Sequence, residues 1–113
     1  MANTARFMSA TTLIGDGIRN PQNESLGDLK EIMMDTASGK IAYGVVSYGG
    51  ILGLGDKLFA VPWSAFSIDH ENHKLVLNVS KERLKDAPGF DKDDWPDFAD
   101  AGFRTRVSDF YYA

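Results

Sequence analysis

The chain of 113 residues has no cysteine and only two histidines. The first absence removes disulfides, thiolate metal sites and thiol nucleophiles together. The second leaves little for imidazole chemistry. His70 and His73 share one turn, "DHENH", with Asp69 and Glu71. Two imidazoles and a carboxylate are metal-ligand types, but ligands three apart in a hairpin, with no distant third partner, read as a solvated polar turn. Ser64 and Ser67 lie near these histidines in sequence, and nothing marks either as an activated nucleophile. Long apolar runs are missing too. The longest weakly polar stretch, "IAYGVVSYGGILGLG", is broken by glycines and stopped by Asp56 and Lys57, short of the roughly 20 apolar residues a spanning helix needs. The first residues lack a basic start followed by an apolar core, so no secretory signal is expected and the expected location is the cytoplasm. Positive charge is scarce: 12 Lys and Arg against 16 Asp and Glu leave a net charge of −4. Lys81, Arg83 and Lys85, the one basic cluster, are interleaved with Glu82 and Asp86. Neither nucleic-acid binding nor membrane insertion is expected from this balance.

The glycines are concentrated. Four of them, Gly49, Gly50, Gly53 and Gly55, fall within seven positions. Gly50 and Gly55 have the P-loop separation, but Asp56 stands where that loop needs lysine, and a carboxylate there repels phosphate. The dinucleotide pattern fails for want of a third glycine. Both motifs also need a helix to follow, whereas "DKLFAVPW" is strand-like. The stretch therefore reads as a connection between strands. Its apolar residues Ile51, Leu52 and Leu54 are candidates for capping a barrel end or meeting a partner.

Hydrophobic residues make up 43 % of the chain, enough for one modest core. Ser9 is placed to cap a helical turn over 9–14, with Leu13 and Ile14 packing inward. "GIRN" predicts a short strand, "PQNES" a turn in which Asn23 tolerates left-handed backbone, and "SLGDLKEIMMD" a strand of imperfect alternation in which Gly27 marks a bulge or bend. "IAYGVVSY", "KLFAVPW", "SAFSID" after a bend at Pro62, and "LVLNV" complete five or six strands. Ser80 caps a short helix near 80–87 that stops before Pro88-Gly89. Short strands with regular turns define a mainly β domain, a small antiparallel barrel or sandwich.

From Phe90 onward the composition changes. This segment holds seven of the thirteen aromatics and six aspartates. The run "DKDDWPDFAD" lacks the glycine and closing glutamate of a calcium loop, and Asp93 or Asp94 is placed to cap a short helix containing Trp95-Pro96. Aromatics at this density are costly to leave in water. The extension, residues 90–113, is therefore expected to dock on residues 1–89 or on a partner subunit. Trp95, Phe98, Phe103, Phe110, Tyr111 and Tyr112 are its candidate contact residues.

Taken in order, "LIGDGIRN", "SLGDLKEIMMD", "SGKIAYGVVSYGG", "KLFAVPWSAFSID" and "KLVLNVSKERLKDAPGF" resemble the PRC-barrel family. This is the barrel of the photosynthetic reaction centre H subunit and of the ribosome maturation factor's C-terminal domain; the chain is most similar to small stand-alone bacterial members. The resemblance covers about residues 10–90 and rests on Gly15, the pair Leu26-Gly27, Asp35 before a turn with Gly39, and Val61-Pro62-Trp63. Asn23-Glu24 departs from a turn where the family often has glycine, and Asn reaches the same backbone region. The resemblance implies a PRC-type barrel of about six antiparallel strands and an adaptor role without catalysis. It carries over no catalytic residue, metal ligand or cofactor. The expected partner is a protein, first of all a second copy, with a dimer favoured. The alternatives are a small-ligand or metal-binding barrel and a ribosome-associated factor.

Overall fold

The computed structural model describes residues 7–48, 57–69, 71–72 and 74–112. Ile51, Leu52 and Leu54, and both histidines, lie outside the described residues. Along the chain run α1 (Ala10–Leu13), β1 (Gly17–Arg19), β2 (Ser25–Asp35), β3 (Lys40–Ser47), β4 (Lys57–Pro62), a 3-10 turn (Trp63–Ala65), β5 (Phe66–Asp69), β6 (Lys74–Leu77), α2 (Lys81–Leu84), β7 (Gly89–Asp91) and α3 (Ala101–Tyr112).

The fold is mainly β, and three details of the expected barrel need correcting. The sheet has seven strands among the described residues, in the order β5-β6-β1-β2-β3-β4-β7. It is mixed, because β1 pairs with β6 in parallel at Arg19 and Val76. It is also open, since β5 and β7 are its two ends and no ladder joins them among the described residues. The sheet is nevertheless rolled. β4 and β5 lie near opposite ends of the strand order, yet only residues 63–65 connect them, a span of at most about 14 Å. Across the interior the Phe66 ring lies against Gly44, and a Cβ there would come within 2.8 Å of ring atom Cε2. The seventh strand escaped sequence reading because it is three residues long, opens on glycine and pairs with β4 alone.

Rolling brings the inner faces together around one core of Leu13, Ile18, Leu26, Leu29, Val46, Phe59, Val61, Leu75, Leu77, Val79, Leu84 and Ala87. β2 contributes to it by an unusual route. Leu26, Leu29 and the half-buried Ile32 are spaced by three, which simple alternation forbids. Two irregularities resolve this. The β1–β2 register shifts between Ile18 and Arg19, and the β2–β3 register shifts between Leu29 and Glu31. Each extra residue resets the facing, so every third side chain turns inward. Gly27 sits in the first bulge at φ +124°, where a Cβ would collide with the Ser47 carbonyl oxygen. Only glycine satisfies both conditions.

The turn before β2 is held by Asn20, a buried polar residue at 3 % exposure. Its Oδ1 accepts from the Gln22 and Glu24 backbone N–H groups at 3.1 and 2.9 Å. Its Nδ2 donates to Glu24 Oε1 at 2.6 Å and to the Val79 carbonyl at 3.1 Å. Asn23 takes up φ +66° in that turn, as expected. The Asn20 amide, and then the Lys81 backbone N–H, hold the Glu24 carboxyl below its ordinary pKa of 4.5. The stabilisation tied to this shift is present above the ordinary value and fades as pH falls through the lowered one. At the ends of the short helices, Ser80 caps α2 by accepting from the Arg83 N–H at 3.0 Å. Ser9, by contrast, turns its hydroxyl to Thr11 and does not cap α1, and Ile14 stays exposed.

Substituting Gly27→Ala should cost about 2–4 kcal/mol through backbone strain and displacement of β3. The check is the denaturant midpoint, and an unchanged midpoint would show that the bulge accepts a side chain.

Candidate interaction surface

β4 is apolar on both faces, which is why "LFAVP" reads as a continuous run instead of an alternation. Phe59 and Val61 point into the core. On the other side the ladder sets Ala60 beside Val45 and Pro62 beside Tyr43. Val45 and Ala60 are fully buried, so this outer face is covered. The cover is α3. Phe103 and Val107, one helical turn apart, close a second cluster with Ala60, and Tyr43, Phe90, Phe98 and Tyr111 pack around it.

A twelve-residue helix is marginal in water by itself, and α3 is pinned at both ends. Asp100 caps its start: Oδ2 accepts from the Phe103 N–H at 2.8 Å, and its carbonyl accepts from Arg104 N–H at 3.0 Å. At the far end the Arg83 guanidinium donates to the Phe110 carbonyl at 2.8 Å and lies 4.4 Å from the centre of the Phe110 ring. A cation there meets both the negative end of the helix dipole and an aromatic face. The Ser64 and Tyr112 hydroxyls are hydrogen-bonded to each other. The expected cap at Asp93 or Asp94 is displaced, because Trp95-Pro96 is not helical. Instead, Asp97 Oδ1 accepts from the Ala99 N–H at 2.9 Å, and the Trp95 indole donates to the Lys92 carbonyl at 2.8 Å.

The candidate residues therefore separate. Phe103 is buried against the chain's own sheet. Phe98 is half-buried and touches Tyr43 and Phe103 at ring distances of 5.5 Å each. Phe110 and Tyr111 are half-buried and pack against the main core. Trp95 stacks on Phe90 at 5.1 Å but keeps 40 % of its surface exposed, and Tyr112 keeps 53 %. The Tyr111 hydroxyl is buried with no hydrogen-bond partner among the described residues, and burial pushes the phenol well above its ordinary pKa.

Sequence reading missed the apolar strip beside this cluster. Met34 and Ile41 face each other across β2 and β3 and are 56 % and 38 % exposed. Met34 lines a groove of 270 Å³ with Met33, Asp35, Ala42, Tyr43, Phe98 and Arg104, and Ile41 lies beside it as Met34's ladder partner. A wider groove of 590 Å³ shares Ala42, Tyr43 and Arg104 and continues along α3 past Thr105, Ser108 and Asp109 to Tyr112. The signal in the sequence was the hairpin "IMMDTASGKIAY", whose apolar residues continue to the turn on both arms. Among the described residues no group of three His, Asp or Glu side chains converges as a metal site. No helix there is long and apolar enough to cross a membrane.

A family model for the PRC-barrel domain matches residues 5–84. The chain belongs to the PRC-barrel family, and α3 with its connecting segment lies beyond the matched region. No curated protein matches the chain.

Removing the orphaned hydroxyl by Tyr111→Phe should leave stability unchanged or raise it by about 1 kcal/mol. A fall in melting temperature would reveal a hidden partner. Asp100→Ala should cost about 1 kcal/mol and speed amide exchange at Phe103 and neighbouring residues of the first turn, with little effect on β2 or β6.

Proposed function

We propose that this chain is a non-enzymatic protein-interaction module that pairs with a second copy of itself. The observation that carries this reading is the exposed Met34–Ile41 pair, continuous with the groove floored by Ala42 and Tyr43. Contiguous apolar surface beside a shaped groove is the usual mark of a contact site. A two-fold interface needs one self-complementary patch, and a strip with protruding Met34 and a neighbouring hollow supplies both halves. The thioether side chains suit such a contact, because methionine adapts its shape to the surface it meets.

The adaptor role implied by the family resemblance agrees with this reading. Trp95, at the other end of the Tyr43–Phe98 cluster, extends the strip with an aromatic that keeps an open face.

Sedimentation velocity over a concentration series tests the proposal. The unmodified chain should show a concentration-dependent dimer. Met34→Lys and Ile41→Lys, both at exposed positions, should each weaken it at least about tenfold, a change of about 1.4 kcal/mol. A monomeric mass at every concentration, or dimerisation indifferent to both substitutions, would remove the strip from the account.

A further inference from the structure

We infer that the outer face of β3 and β4 is a helix-binding seat that α3 of a second copy can occupy in place of the chain's own. Self-association would then include exchange of α3. This rests on the pairing proposed above and specifies what passes between the two copies.

Most of the seat lies within the family-matched region, whereas Phe90 at its edge and the helix that fills it lie beyond residue 84. Without α3 the seat would expose Ala60, fully buried now, together with Tyr43 and Phe90, and Val45 lies beside Ala60 in the β3–β4 ladder. Such a face requires an apolar helix, and Phe103 and Val107 present the matching ridge. The same ridge on a second copy would meet the same residues, so exchange conserves the contacts.

The connection permits it. Residues 92–100 join no ladder and are held by the Trp95 and Phe98 ring contacts and by local turns. Extended, this segment reaches about 30 Å, against a smallest molecular dimension of 27 Å. The seat and the apolar strip also share Tyr43 and Phe98. Pairing through the strip therefore brings the two seats near each other. The far end of α3 is held by the exposed Arg83–Phe110 and Ser64–Tyr112 contacts, which the same residues of another copy can reproduce.

The chain's lack of cysteine allows a direct test. Full-length Ser64→Cys and Tyr112→Cys variants, both substituted at exposed positions, are purified separately and mixed at dimer-forming concentration. The mixture is then treated with a short bis-maleimide. Exchange predicts a covalent heterodimer in which peptide mapping joins position 64 to position 112, in excess of 64–64 and 112–112 links. Adding Arg83→Ala to both chains should raise the initial rate of that link several-fold, because it releases the end of the helix. A double variant carrying both cysteines marks the yield of the link within one chain. If the mixture gives no 64–112 link while the double variant closes on itself, α3 stays in its own copy and the inference falls. A dimeric mass in the same sample would then leave the pairing itself standing, and a monomeric mass would remove both.

Discussion

The structure depends on the burial of β4 on both faces. A strand apolar on one side needs one partner layer; β4 needs two. Phe59 and Val61 are covered by the rolled sheet and the short helices that close it. Leu58 and Ala60 look the other way, and no part of the rolled interior can reach them. β7 and α3 solve this second problem. β7 sets Phe90 beside Leu58, and α3 lays Phe103 and Val107 over Ala60. The C-terminal segment is in this sense the second half of the burial of β4.

The polar groups follow the same logic of closing what the sheet leaves open. Asn20 closes the turn before β2 with its Oδ1 and ties that turn to the segment after β6 through its Nδ2, beside the parallel contact between β1 and β6. Arg83 leaves α2 to close the carbonyl end of α3 and stack on Phe110. These are small contacts individually, at about 1 kcal/mol for a net hydrogen bond. Their importance is positional. Asn20 reinforces the short β1–β6 contact, and Arg83 joins two helices that no ladder links.

Much of this was legible in the sequence. Strong β-branched and aromatic runs marked β3, β4 and β6, and Asn23, Gly39 and Ser80 announced their turns and cap correctly. The order of these pieces carried the family. Three things were illegible for identifiable reasons. Alternation in β2 was disguised, because bulges at two points convert a period of two into a spacing of three. The open, mixed sheet was hidden because the parallel contact between β1 and β6 is a tertiary outcome with no local signature. The division of the tail aromatics into buried Phe103 and open Trp95 depended on helical phase, and the helix starts at Ala101 behind its cap Asp100, several residues later than the acidic run suggested. The exposed strip was overlooked for a simpler reason: Met34 and Ile41 looked like ordinary strand residues until their pairing placed them together at the end of the hairpin.

The parallel contact between β1 and β6 also sets a schedule for folding. β2, β3 and β4 are neighbours in sequence and in space, so their hairpins need only short loop closures. β1 completes its pairing with a strand nearly half the chain away, and Asn20 meets Val79 across 59 residues. On a ribosome the central hairpins are therefore available well before the sheet can roll shut. α3 emerges after β3 and β4, so it arrives once the face it covers has already been laid out. For that interval the nascent chain shows the bare outer side of β3 and β4 to its surroundings, and to the emerging copies on neighbouring ribosomes.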